Sequence, residues 1–303
     1  MNKTQVTIGI CVRNCENSLK EAIDSIINQD FPHEFMEVIF VDDGSEDKTA
    51  LIIREYASKM GIRAKVFSIP KKGLGHARNI VIANAEGEFI LWVDGDMVLL
   101  QNYVKKLTEF MRQHPEIGIA KGRMSLKSSA NLLGSLEIYS RVVSKMVDYN
   151  SEKAFSKSLG TGGSIYRTEA AKEAGGFDEK IKGYGEDMDI EIRVKADGWS
   201  FGMVKAEFLD YERYGVIWNS LWNRYWNRGH HMHYFLHKNR GLLRHYRMLP
   251  SVAFFSGFLD AHVLFKLTRK KKVFLLPIPY LFKMTAYYFG FITSHFNSYE
   301  PHL

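Results

Sequence analysis

The chain has 303 residues, 46% of them hydrophobic and 25% charged, which is enough apolar surface for one large folded core and excludes a disordered chain. Its formal charge of +7 is unevenly placed: from Arg213 onward there are 13 Lys and Arg against 2 acidic residues, leaving about −4 for residues 1–212. A cationic, aromatic tail reads as a partner for an anionic membrane surface rather than for nucleic acid.

Polar residues Met1 to Gln5 run straight into a β-branched stretch, Val6 to Val12, so no signal peptide is read and the catalytic part is expected to face the cytoplasm. Cys11 and Cys15 are the only cysteines, too few for a zinc site or a disulfide framework, and read as reduced thiols. Helical spacing of Leu19, Ala22, Ile23, Ile26 and Ile27 predicts a helix over 17–28, and Val38 to Val41 reads as a buried strand ending in Asp42-Asp43-Gly44. Residues 47–60 read as a helix, 65–68 as a strand, 77–85 as a helix, and 89–93 as a central strand ending at Asp94. Strands alternating with helices predict an α/β fold, a mostly parallel sheet flanked by helices. Ligands of such sheets bind at the carboxyl ends of strands, where both acidic clusters sit.

A further helix reads over 103–114, followed by a mixed region to Leu209 that carries the glycine-rich run Gly160 to Gly163 and a helix over 187–196. Trp218, Trp222 and Trp226 then recur every four residues with Arg224 and Arg228 between them. Two apolar stretches, 251–267 and 273–294, flank Arg269-Lys270-Lys271-Lys272. Asp260 and His262 interrupt the first; Pro277, Pro279 and Lys283 interrupt the second. Helices lying in the membrane interface fit this pattern best, a single span by the second stretch is the next reading, and a helix docked on a soluble body is the third.

Three acidic clusters can carry chemistry. Asp94-Gly95-Asp96 follows a hydrophobic strand and offers two carboxylates to Mn2+ or Mg2+, which bind hard oxygen ligands together with substrate phosphates; a solvated acidic turn is the plain alternative. Asp42 and Asp43 can accept hydrogen bonds from a nucleobase or ribose, or cap the next helix. Glu186 and Asp187 open a helix after Gly183-Tyr184-Gly185, where a general base would be reachable and where the helix dipole alone also favours a carboxylate. Gly162 and Gly163 would let the backbone approach a bound substrate.

In order, Val6 to Asn14, Val41 to Ser45, Gly75 to Asn79, Ala85 to Glu88, Asp94-Gly95-Asp96, Gly162-Gly163-Ser164 with Arg167, and Gly185-Glu186-Asp187 resemble the inverting glycosyltransferases of family 2 over residues 4–230. The resemblance implies a GT-A fold. It places Asp43 and Arg78 at the nucleoside, with Cys11 and Arg13 lining its pocket. Asp94 and Asp96 go to the ribose and the metal-bridged diphosphate, and Asp187 becomes the base, with Glu186 as its alternative. It implies domains at 1–230 (nucleotide-sugar half 1–115, acceptor half 116–230) and a membrane-associating helical tail at 231–303. The function it implies is transfer of one sugar from a nucleotide-diphosphate sugar to a hydroxyl of a glycan or lipid-linked saccharide, with inversion.

Three departures bear on the details. Cys11 and Arg13 replace the usual proline and tyrosine of the first strand. Asp210 and Glu212 stand where some relatives carry a metal-binding histidine, and the Gln-x-x-Arg-Trp signature of polymerising relatives is absent. His230, His231 and His233 read as surface or interface. Competing readings are a polyprenyl-phosphate sugar synthase, opposed by Met97-Val98 after the Asp-x-Asp and by the presence of Glu186-Asp187, and a non-catalytic nucleotide-sugar-binding or membrane scaffold protein. No Gly-x-Gly-x-x-Gly follows the first strand, which opposes a dinucleotide-dependent oxidoreductase.

Overall fold

The structure, a computed structural model, describes residues 3–127, 129–144, 158–239 and 249–297. An eight-stranded sheet has the order β3-β2-β1-β4-β7-β6-β8-β5. Its first half is β1 (Val6–Val12), β2 (Met36–Asp43), β3 (Arg63–Ile69) and β4 (Phe89–Trp92), all parallel, as the alternation of strands and helices predicts. The connecting helices are α1 (Leu19–Ile27), α2 (Thr49–Lys59) and α3 (Leu74–Asn84).

The second half is mixed. β7 (Ser164–Arg167) runs antiparallel to β4 and to β6 (Ile117–Met124), β8 (Ser200–Leu209) is parallel to β6, and the two-residue β5 (Val98–Leu99) closes the edge. Around it lie α4 (Tyr103–Gln113), α5 (Leu132–Ser144), α6 (Thr168–Glu173) and α7 (Glu186–Ala196).

Strands buried on both faces read as continuous apolar runs, and β1, β2 and β4 do so because helices cover each side. Ile8, Ile10, Val38, Phe40, Phe89 and Leu91 pack with α1, α2 and α4. Their neighbours Ile39, Val41, Ile90 and Trp92 point the other way, onto α3, α6 and α7. The parallel strands therefore end together, and their C-terminal loops carry the acidic residues.

The expected boundary at residue 230 falls inside one helix, α8 (Trp218–Lys238). The tail is α8, α9 (Pro250–Thr268) and α10 (Pro277–Phe296), docked on the body. Lys283 is buried and donates to Glu137 Oε1 (2.9 Å) and Ser140 Oγ (2.6 Å) of α5. The Tyr280 hydroxyl donates to Asp260 of α9 (2.7 Å). No described helix is long and apolar enough to cross a membrane, so the single span considered over 273–294 is not found. One face of α10 lies against protein, and its charged residue is neutralised there.

α8 and α10 run side by side in the same direction, Trp218 meeting Phe282 and His233 meeting His295. Their backbones touch through two glycines. A Cβ on Gly229 would lie 1.9 Å from the Tyr287 carbonyl oxygen, and one on Gly290 would lie 2.0 Å from that of Trp226. Gly290→Ala gains about 1 kcal/mol of helix propensity but forces two backbones apart, an overpacking cost of about 3 kcal/mol. A net loss of stability is expected in denaturant unfolding; an unchanged or raised midpoint would contradict this contact.

Candidate active site

A cavity of about 580 Å³ opens at the C-terminal ends of the strands, lined by residues from both halves of the sheet and from α8. β4 delivers Asp94 and Asp96 to it through a tight turn closed by the Met97 N–H on the Asp94 carbonyl (3.0 Å). The loop 160–163 lies against this turn, its Gly163 N–H donating to the Trp92 carbonyl (2.9 Å). A Cβ on Gly162 would sit 2.1 Å from Asp94 Oδ2, so only glycine permits the carboxylate its place. Two buried charges fix the same loop. Glu191 accepts from the N–H groups of Leu159 (3.0 Å) and Gly160 (2.8 Å), and Lys121 donates to the carbonyls of Leu159 (2.8 Å) and Gly160 (3.1 Å).

Asp210, just after β8, joins this wall, and Glu212 lies buried beside it. Arg141 of α5 bridges them, at 2.8 Å from Asp210 and 2.5 Å from Glu212. Burial, then Asp210 and Asp94, push the Asp96 carboxyl up to about 7. Burial raises Asp94, with Arg78 opposing, and lifts Glu212 to about 7 although Arg141 opposes. Burial and the nearby Arg141 charge lower Lys121 to about 8. Glu212 Oε2 is buried with no hydrogen-bond partner among the described residues. Four carboxylates, three of them lining the cavity and Glu212 buried behind, thus face three nearby cations, Arg78, Arg141 and a weakened Lys121. An all-oxygen donor set short of positive charge suits Mn2+ or Mg2+, so the residues present fit the metal that the sequence leads one to expect.

A second acidic cluster lies at the start of α7. Gly185, at φ 106°, makes the left-handed turn into that helix, and Glu186 and Asp187 follow in its first turn. Glu186 is buried and takes the Arg78 guanidinium at 2.7 Å. Burial and the adjacent Asp187 raise its carboxyl to about 7 while Arg78 opposes them. Asp187 is only half-buried, and its Oδ1 accepts from the Met188 N–H (2.8 Å).

α8 supplies a third wall. Arg224 and Arg228, one helical turn apart, both line the cavity with Tyr184 and Tyr211. Arg224 stacks on Tyr211 (3.7 Å to the ring centre), and its Nη1 is buried with no hydrogen-bond partner among the described residues.

Of the residues singled out in the sequence, Arg78, Asp94, Asp96, Gly162, Glu186 and Asp187 line this one cavity. Cys11, Arg13, Asp43 and Gly163 lie outside its lining. Both oxygens of Asp43 accept from backbone N–H groups, those of Lys72 (2.7 Å) and Gly73 (2.9 Å), so it holds the entry to α3. Arg13 is on Glu46 (3.3 Å), and burial pushes the Cys11 thiol up to about 12, which keeps it protonated. Both cysteines are free. The Gly163 carbonyl accepts from the Tyr103 hydroxyl. Lys121, Arg141 and Glu191 were not singled out; nothing in their local sequence marks them. Arg224 and Arg228 did carry a signal, two arginines on one face of a helix.

The family model for glycosyl transferase family 2 matches residues 7–173. The poly(ribitol-phosphate) beta-N-acetylglucosaminyltransferase TarS of Staphylococcus aureus is 35% identical over 101 residues, 33% of this chain and 18% of that protein. The minor teichoic acid biosynthesis protein GgaB of Bacillus subtilis is 29% identical over 202 residues, 64% of this chain and 21% of GgaB. The chain thus spans about a fifth of the length of these relatives. Among solved structures, the mannosyltransferase PcManGT from Pyrobaculum calidifontis, in complex with GDP-Man and Mn2+, aligns with a TM-score of 0.66 at 17% identity, covering 98% of this chain and 89% of that one. TarS 1–349 in complex with UDP-GlcNAc aligns at 0.55 and 17% identity, covering 97% and 92%. At such identities these likenesses show the fold.

Proposed function

The chain belongs to glycosyl transferase family 2 and has a GT-A-like α/β fold, and from that premise we propose that it transfers one sugar from a nucleotide-diphosphate sugar to a hydroxyl of a glycan or lipid-linked saccharide, with inversion. The observation that carries the proposal is that Asp94 and Asp96 share one cavity with Asp187. Asp94 and Asp96, with Asp210 beside them, would hold Mn2+ or Mg2+. Bound there, the cation would offset the negative charge that develops on the leaving diphosphate. Arg224, whose Nη1 has no hydrogen-bond partner among the described residues, offers a donor to a phosphate or sugar oxygen. Asp187 would take the proton of the incoming hydroxyl, and displacement from the face opposite the diphosphate inverts the anomeric carbon. Arg78, paired with Glu186, ties α3 of the nucleotide half to α7 of the acceptor half and so fixes the base relative to the donor.

The metal assignment is tested by calorimetry of nucleoside diphosphate with Mn2+. Asp96→Ala is expected to abolish metal-dependent binding while leaving the unfolding midpoint near that of the parent, because Asp96 lines a cleft and not the apolar core. Undiminished affinity would overturn the assignment.

The tail adds a location. Phe255, Leu259, Val263 and Leu267 make an exposed stripe at four-residue spacing on α9, and Phe289 and Phe296 are exposed on α10. Contiguous exposed apolar surface next to Arg269 to Lys272 supports docking at an anionic membrane interface, with the helices lying in the interface plane. We place that surface on the cytoplasmic side, where free Cys11 and Cys15 stay reduced.

A further inference from the structure

Three imidazoles meet where α8 and α10 end, outside the lining of the cavity. His233 and His237 are one turn apart on α8, and His295 comes from α10. His233 Nε2 lies 3.1 Å from His295 Nδ1 and 3.2 Å from His237 Nε2, and the ligand atoms of all three lie within 4.8 Å of one another. His233 is buried, whereas His237 and His295 are exposed.

Hydrogen bonding alone does not account for this convergence. One imidazole nitrogen carries either one proton or one lone pair, so His233 Nε2 makes one good hydrogen bond, yet two other ring nitrogens sit at bonding distance from it. A tetrahedral cation with metal–nitrogen bonds of about 2.0–2.1 Å places its ligand nitrogens about 3.3–3.4 Å apart, close to the two spacings that His233 makes. We propose that His233, His237 and His295 form a site for a divalent transition metal of the zinc class, which staples α10 to α8.

The donor type sets the metal. Three neutral imidazoles suit Zn2+, Co2+, Ni2+ or Cu2+, whereas the Mn2+ or Mg2+ of the carboxylate wall prefer oxygen. With two ligands exposed, water completes the fourth position. The staple acts on the active site through the helix: α8 carries Arg224, Arg228 and Met232 into the cavity, and His233 follows Met232 directly. Pinning α8 to α10 fixes how deeply that arginine wall enters. The proposal is independent of the sugar-transfer reading, since it rests on no residue of the carboxylate wall.

The test uses the full, tag-free chain stripped by a chelator and titrated with Zn2+ or Co2+ alone against a chromophoric competitor. One tight equivalent is expected in the parent and in Asp96→Ala. His237→Ala and His295→Ala, both at exposed positions, should bind more than about 100-fold more weakly, since even removing a group that only supports a ligand costs 10- to 100-fold. Zn2+ should raise the unfolding midpoint of the parent and not of these variants. No tight equivalent in the parent, or full retention in both histidine variants, overturns the site. Loss of the equivalent in Asp96→Ala does so too, because the zinc would then sit on the carboxylates.

Discussion

Replacing Asp187 with Asn is expected to lower sugar transfer by on the order of 10² to 10⁴ while nucleotide affinity and the unfolding midpoint stay near those of the parent. The substitution keeps the shape of the side chain and removes its basicity, so a general base loses rate and a structural carboxylate does not. Geometry separates Asp187 from Glu186. Glu186 is buried against Arg78 at 2.7 Å, and its burial and the neighbouring carboxylate favour the protonated form up to about pH 7. A base in that position would be half-protonated at neutral pH and already engaged by a cation. Asp187 is half-exposed at the cavity, with one oxygen on the Met188 N–H and the other without a hydrogen bond among the described residues. Single-turnover assays with a hydroxyl acceptor, alongside calorimetry with the nucleotide, read the two effects separately. Near-normal turnover in Asp187→Asn would move the base to Glu186.

Most of the parallel half of the sheet was legible because its signal is local. A strand buried on both faces must be apolar throughout, and Val6 to Val12, Val38 to Val41 and Phe89 to Val93 announce themselves that way. The acidic residues at their ends were legible for the same reason, although only Asp94 and Asp96 line the cavity while Asp43 holds the entry to α3. What stayed hidden depends on distant partners. Arg78 and Glu186, 108 residues apart, could be singled out one by one but not paired. Lys121 and Arg141 are single basic residues whose meaning comes from the loops and carboxylates they reach. Lys283 illustrates the same limit in the tail. In sequence it interrupts an apolar stretch, but in the fold it meets Glu137, 146 residues away, and ties α10 to the body. Apolar length and charge led to the expectation of a membrane interface and left a docked helix as the last alternative; which side of the helices is covered by protein depends on partners far away in sequence.

The side left uncovered leads to the second large effect, on membrane binding. Arg269 ends α9, and Lys270 to Lys272 continue from it beside the exposed Phe274 and Leu275, so charge and apolar surface share one edge of the molecule. Each basic residue near an anionic leaflet contributes about 1 kcal/mol, while the buried side chains add a hydrophobic term. Four charges together change the partition coefficient roughly a thousandfold. Replacing Arg269, Lys270, Lys271 and Lys272 with Gln is therefore expected to release most of the protein from vesicles containing phosphatidylserine at moderate salt, with nucleotide binding unchanged. The same release should follow when the parent is washed in high salt, because screening acts on the charges and leaves the apolar stripe intact. Phe255→Ser with Leu259→Ser should weaken binding even to neutral vesicles, since both side chains are exposed on α9 and neither supports the core. A parent protein that stays in solution with anionic vesicles present would show that this face serves something other than a membrane. Retention of the charge-free variant at high salt would show that apolar insertion alone holds it there.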